Sequence, residues 1–369
     1  MSNLETATKS RVAEPSNETE AGGGMSGIVS ARLIRSVLFF TVAGVILYAA
    51  ATLATGYQGI AASLRQFPVQ TLLLVLALVV IGWLLRGWRF YYYLRRIGKS
   101  VPLTYSLKAF LAGFALTGTP AKVGEAVKGV FLKEDYGISV TRVVGIVMVE
   151  RLMDLWGVLL LGSLSLLLFS RWRSLFLVFA GIVIAGGIFI CMERVYRPVL
   201  EWIGKISFLS WISAKILKIL LTGRDLMTPR IFLVGLVVST LAWGMESLSL
   251  YLILKGLHLS SSLLEANFVY CFSTIVGALS MLPGGIGGTE AGMMGLLGFM
   301  GISYTESLPA VILIRLCTLW LAVLVGIGFM IFMLARSRNK LRHTTGHGLP
   351  LPDPELCSSE ESFHKELSA

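Results

Sequence analysis

Gly137-Ile138-Ser139 opens a stretch that runs through Thr141, Glu150-Arg151-Leu152 and Leu155-Trp156 to Gly162, and the chain repeats it 164 residues later. Gly301-Ile302-Ser303, Thr305, Arg315-Leu316, Leu319-Trp320 and Gly326 fall at that spacing without a gap. Leucines align easily by chance. An arginine inside an apolar run, followed at a fixed distance by a tryptophan, does not. Just upstream of each copy stands a Pro/Gly/Glu segment, Thr119-Pro120 to Gly124-Glu125 before the first and Leu282-Pro283-Gly284-Gly285 to Gly288-Thr289-Glu290 before the second. Internal repeats whose apolar segments are broken by Gly and Pro at corresponding places point to a transporter's binding site.

The composition agrees with a membrane chain. Hydrophobic residues make up 55% and charged residues 14%, with a mean hydropathy of +0.77, which is not the balance of a soluble domain. Apolar stretches near 33–55, 70–94, 141–169, 174–192, 231–254 and 305–335 each approach the roughly 20 residues that a bilayer crossing needs. Residues 1–31 and 336–369 are polar and read as cytoplasmic tails, the first one disordered. Residues 1–31 lack the apolar core of a cleaved signal peptide. The cysteines at 191, 271, 317 and 357 form no CxxC and read as packing residues. The net charge of +11 reads as the cytoplasmic excess of Lys and Arg in a membrane protein, and not as a nucleic-acid footprint.

Placing the amino terminus in the cytoplasm puts twenty-six of the 32 basic residues inside and only Arg65, Arg171, Arg173 and Lys255 outside, with Arg151 and Arg315 within the membrane. That orientation requires residues 104–140 and 265–304 each to enter and leave on one side. Each forms a helical hairpin, and the shortness of Thr104 to Thr119 favours a re-entrant one. The expectation is therefore an all-α polytopic protein with six spanning helices and two re-entrant or short hairpins. Repeat one covers about 70–169 and repeat two about 231–335, inverted with respect to each other, with a linker over 170–230. The basic loop 193–230, with Trp202, Trp211, Lys205, Lys215 and Lys218, reads as a helix lying on the cytoplasmic interface. Arg86, Arg89, Arg95 and Arg96, beside Trp83, Trp88 and Tyr91 to Tyr93, read as an interfacial anchor whose side chains snorkel.

Ionisable residues inside spans are costly and usually functional. Arg151 lies near the middle of its helix, and Arg315 holds the matching place in the second copy. Asp154 is three residues from Arg151, so a pair within one helix is one reading, and Glu150 shares the face of Asp154. Arg315 has no acid within four residues and takes a partner from elsewhere, an anionic ligand or Glu290. Pro120 and Pro283 suit the first turn of a helix, and such helix starts attract anions. Gly284, Gly288 and Gly292 repeat every four residues, the spacing that lets helices approach closely. Glu246 is a further isolated acid within a span. Gly98-Lys99-Ser100 ends like a phosphate-binding loop but lacks its leading glycine, Tyr93 standing in that position. All four histidines fall outside the spans, so no catalytic pair, metal cluster or cofactor is expected, and the chain reads as a non-enzyme.

Thr119 to Glu125 with Lys128, Glu150-Arg151 to Asp154, and Leu282 to Glu290 with Arg315 resemble the lysylphosphatidylglycerol synthase transmembrane family, over about residues 33–335. The resemblance implies a plasma-membrane protein that moves a phospholipid or a lipid-linked glycan between leaflets. In the full-length resistance factors of that family a soluble synthase follows. This chain ends 34 residues after Ala335, so the expectation is a stand-alone module that makes no aminoacyl-lipid. The expected substrate-binding set is Arg151, Arg315, Pro120, Gly124, Glu125, Lys128, Pro283, Gly284, Gly285, Gly288 and Glu290, with Glu150, Asp154 and Glu246 as coupling or counter-ion groups. Expected partners are lipids with an anionic or phosphate-bearing headgroup, a separately encoded lipid-modifying enzyme or glycosyltransferase, and a second copy in a homo-oligomer. Two alternatives stay open, a proton-coupled transporter of a small soluble anion and an accessory subunit of a lipid-modifying enzyme.

Overall fold

The structure is a computed structural model that describes residues 65–117, 127–165, 173–206, 209–280 and 282–345. The apolar stretch at 33–55, both polar tails and the turn carrying Pro120, Gly124 and Glu125 lie outside the described residues. Among the described residues the fold is helical throughout, with no strand. The helices in chain order are α1 (Val69–Arg96), α2 (Leu103–Gly113), α3 (Lys128–Tyr136), α4 (Val140–Ser165), α5 (Arg173–Cys191), α6 (Glu193–Gly204), α7 (Ser210–Asp225), α8 (Pro229–Gly256), α9 (Leu263–Leu279), α10 (Gly288–Phe299), α11 (Tyr304–Arg315) and α12 (Leu321–Thr345). A short 3-10 turn, Phe114–Leu116, extends α2, and a π-helical turn, Leu316–Trp320, joins α11 to α12.

Three helices are long and apolar enough to cross a membrane: α1, α8 and the continuous run Tyr304–Ser337. Counting α5 and α6, which meet at a 70° bend, as one broken span makes four. Helix α4 has 26 residues, and Arg142, Glu150, Arg151 and Asp154 interrupt its apolar character. Leu73, Leu74, Val80, Ile81 and Leu84 cover the outer face of α1, and Leu233, Val237 and Leu241 that of α8. In lipid this is the favoured arrangement, because a helix satisfies its own backbone and offers only side chains to the hydrocarbon.

Helix α8 packs against α1 on one side and α4 on the other. Small residues make the contact close: a Cβ built on Gly157 of α4 would lie 3.0 Å from the Ser239 backbone of α8. The hairpin α9–α10 rests on α4, and α2 packs on α12. At the last of these contacts backbone meets backbone, since a Cβ on Gly326 would fall 2.2 Å from the Ala115 nitrogen. The arms α2 and α3 are tied by Tyr105, whose hydroxyl donates to Asp135 at 2.7 Å.

The two Gly-Ile-Ser stretches both end a helix on a left-handed glycine. Gly137 and Gly301 take positive φ of 64° and 87°. The amides of Ile138 and Ile302 reach back to Leu132 and Leu297 carbonyls at 3.1 and 3.0 Å. The Gly301 end has the Schellman pattern and the Gly137 end is one residue wider, and in both a glycine turns the chain left-handed at no steric cost. Each is followed by a long helix. Helix α4 stays α-helical past Arg151, whereas a π turn begins directly after Arg315.

Three readings of the sequence change here. The loop 193–230 holds two packed helices, α6 and α7, clasped by Glu193 with Arg197 and Arg224. Trp202 and Trp211 are exposed on them. Arg86 and Arg89 are not interfacial anchors: they are buried, Arg89 completely, because carboxylates from distant helices meet them inside the bundle. Removing Arg86, Arg89 and the equally buried Lys128 from the cytoplasmic count leaves its asymmetry intact. Pro283 does not begin the second hairpin's returning helix. It opens a short 3-10 turn, and α10 starts at Gly288, because Gly284, Gly285 and Gly287 hold φ of 62°, 68° and 89° and such values break helical continuity.

Candidate functional site

A cavity of about 330 Å³ opens where these elements converge. Arg151 and Asp154 of α4, Arg315 of α11, Arg86 of α1 and Glu246 of α8 line it. So do the ends of both hairpin arms, Thr117 from the first and Leu282, Gly284 and Gly285 from the second. Apolar side chains such as Trp83, Phe110, Phe114 and Leu155 complete the lining.

Each charge at this site meets an opposite one. Arg315 Nε donates to Glu290 Oε1 at 2.7 Å, and its Nη2 donates to the Gly284 carbonyl at 2.8 Å. Glu290 Oε2 accepts from the Gly287 amide at 2.7 Å. The start of α10 therefore holds the protein's own carboxylate, which gains from the exposed amides and the dipole there. Arg151 lies 3.4 Å from Asp154. Asp154 also takes Arg89 Nη1 at 2.8 Å, and Arg89 reaches the Ser239 hydroxyl. Arg86 Nη1 lies 2.5 Å from Glu246 Oε1, and Tyr270 of α9 donates to Glu246 Oε2 at 2.5 Å. Behind the cavity, Lys128 Nζ lies 3.0 Å from Glu150 Oε2, with side-chain exposures of 1% and 0%. The rings of Phe90 and Phe110 each stand 4.8 Å from that ammonium, so the cation keeps attractive contacts that water would otherwise supply.

Of the residues expected from sequence, Arg151, Arg315, Asp154, Glu246, Gly284 and Gly285 share the cavity. Glu290 stands directly behind Arg315. Lys128 and Glu150 form a separate buried pair, off the cavity lining. Gly288 packs instead: a Cβ there would meet Ser280 Oγ at 2.8 Å, so this position lets α10 close on α9. Arg86, Arg89, Trp243 and Tyr270 were not expected. A sequence signal existed for the first two, since they are three apart on one face of α1 and Glu246 stood alone in its span. Their partners lie 160 and 65 residues away, which no local pattern reveals.

Chemically, the cavity offers three guanidinium groups, which grip phosphate or carboxylate through paired donors. The carboxylates Asp154, Glu246 and Glu290 balance them. An anion entering the cavity exchanges with these carboxylates or shares their donors.

The sequence profile of the lysylphosphatidylglycerol synthase TM region matches residues 33–326. A UPF0104 membrane protein of Methanocaldococcus jannaschii is 25% identical over 230 residues, which are 59% of this chain and 93% of that relative. A UPF0104 membrane protein of Methanothermobacter thermautotrophicus is 30% identical over 93 residues, which are 25% of this chain and 28% of that relative. The chain therefore matches little more than a quarter of one archaeal relative and nearly the whole of another. The profile match spans most of the chain, including α4, both glycine-rich turns and the helix of Arg315, and it places this membrane protein in the lysylphosphatidylglycerol synthase transmembrane family.

Proposed function

We propose that the protein is a flippase-like transporter that carries the headgroup of a phospholipid or lipid-linked glycan through the cavity while its tails stay in lipid. One observation carries this reading: Arg151 and Arg315, equivalent residues of the two copies, line a single cavity together with the ends of both hairpins. Four-way convergence at one point is what inverted repeats produce when a shared site is reached alternately from either side.

The proposed topology has six spans and two re-entrant hairpins, with both termini in the cytoplasm of a plasma-membrane protein. The lengths support it. Helix α10 has 12 residues, about 18 Å at 1.5 Å per residue, against roughly 30 Å of hydrocarbon. The arm Leu103–Leu116 is also shorter than a span. Broken backbone at this depth is tolerated where protein buries it or a cavity hydrates it. In this proposal the protein performs no covalent chemistry, uses no cofactor, and takes its substrate from a separately encoded lipid-modifying enzyme or glycosyltransferase.

The test is leaflet exchange of a labelled phospholipid in liposomes carrying the purified full chain. Wild type is expected to exchange the lipid, and Arg151→Ala and Arg315→Ala to lose at least about tenfold in rate, since a charge-assisted contact of this kind is worth about 1.5–3 kcal/mol. Arg315→Lys should recover only part, because an ammonium lacks the paired donors. Unchanged exchange in folded Arg315→Ala would sink the proposal. Uptake of a soluble anion without lipid exchange would favour the soluble-anion transporter.

A further inference from the structure

Arg86 carries more donors than the protein satisfies. Its Nη1 is held by Glu246, but Nε and Nη2 are buried with no hydrogen-bond partner among the described residues. The guanidinium lies 4.5 Å over the ring of Trp243, whose Nε1 is also buried and unpartnered. Both residues line the cavity, and Arg86 is 9% exposed. On the same wall both oxygens of Glu246 are occupied, one by Arg86 and one by Tyr270. The wall thus holds more N–H donors than it pairs. Buried polar groups left unmade are costly and call for an explanation. A ligand that brings several oxygen acceptors and negative charge supplies what is missing.

We infer that Arg86 and Trp243 form an oxyanion subsite of the cavity that works by exchange, in which a phosphate-class group takes Arg86 from Glu246 while Tyr270 retains Glu246. This rests on the anionic-headgroup reading above and adds a contact residue to it. The Tyr270 bond is what makes exchange feasible. A carboxylate stripped of its arginine in a buried site would otherwise lose every partner, which is the costly way to break such a pair. The free edge of Arg86 carries Nε and Nη2 side by side, the arrangement that matches two oxygens of one phosphate. The same chemistry belongs to a lipid headgroup and to a free oxyanion.

The experiment is isothermal titration of the full chain in detergent micelles with two probes, inorganic phosphate and dihexanoyl-phosphatidylglycerol. Glu246→Gln keeps a partner for Tyr270 and removes the competing charge, so it should bind the accepted probe at least about tenfold tighter than wild type. Arg86→Ala alone would strand Glu246, so the informative variant is the double one, Arg86→Ala with Glu246→Gln, which buries no unpaired charge. It should lose the whole gain and bind more weakly than wild type. Tryptophan fluorescence should change on binding in wild type and not in Trp243→Phe. A response to the lipid probe alone assigns a headgroup, and a response to both assigns any phosphate-class oxyanion. If Glu246→Gln and the double variant both bind like wild type while Arg315→Ala loses binding, the exchange is wrong and the headgroup reading survives. If neither probe binds any variant, both readings fall.

Discussion

Lys128 and Glu150 are buried at 1% and 0% side-chain exposure, and the lysine lies 3.0 Å from the glutamate as its counter-charge. One Glu150 oxygen, Oε1, has no hydrogen-bond partner among the described residues, so this carboxylate has little to fall back on when the pair is broken. Lys128→Met should lower stability by about 3–5 kcal/mol, because the Glu150 carboxylate is then left buried without its lysine counter-charge. Thermal unfolding in detergent measures this. Replacing both residues by Met and Leu should restore most of the loss, since a volume-matched apolar pair carries no desolvation cost. A double variant as unstable as Lys128→Met would mean that the pair does more than neutralise itself.

Among the elements, the junction of α2 with α12 is the least forgiving. A Cβ on Gly326 would sit 2.2 Å from the Ala115 nitrogen and 2.5 Å from the Phe114 carbonyl carbon. Backbone atoms cannot turn aside as a flexible side chain does. Gly326→Ala should therefore destabilise by about 1–3 kcal/mol, as overpacking does. Gly328, two residues on, has nothing within 4 Å. Gly328→Ala should be neutral or stabilising by up to about 1 kcal/mol, the helical penalty of glycine. Unfolding midpoints of the two variants decide it, and equal effects would remove the tight contact from the argument. Gly162, the counterpart of Gly326 in the first copy, faces Phe176 and, at 3.6 Å, Cys271 of α9. Each copy's long helix thus places this glycine against the other copy's hairpin, loosely at Gly162 and tightly at Gly326.

For the molecule as a whole, the proposed orientation rests on where Lys and Arg fall. Cys357 in the carboxy-terminal tail offers a direct check on a variant with Cys191, Cys271 and Cys317 replaced by Ser or Ala. A membrane-impermeant maleimide should label Cys357 in inside-out vesicles and leave it unlabelled in intact cells. The reverse pattern would invert the topology, and with it the side to which each hairpin opens.

The all-helical membrane character was legible in the sequence, because apolar length and charge asymmetry are local quantities that the bilayer reads directly. So were the two glycine-capped turns, since Gly137 and Gly301 meet a backbone demand that few other residues meet. Arg151, Arg315 and Glu290 were legible for the same reason: a charge in an apolar run stands out wherever it occurs. The partners were not. Arg86 and Arg89 look like the basic end of a helix until Glu246 and Asp154 arrive from α8 and α4, and nothing near them in sequence announces those acids. The start of α10 behaved likewise, its proline giving way to three left-handed glycines that the fold needs to bring Gly284 under Arg315. One-dimensional patterns fix which groups must be neutralised, and only the packing of distant helices decides by whom.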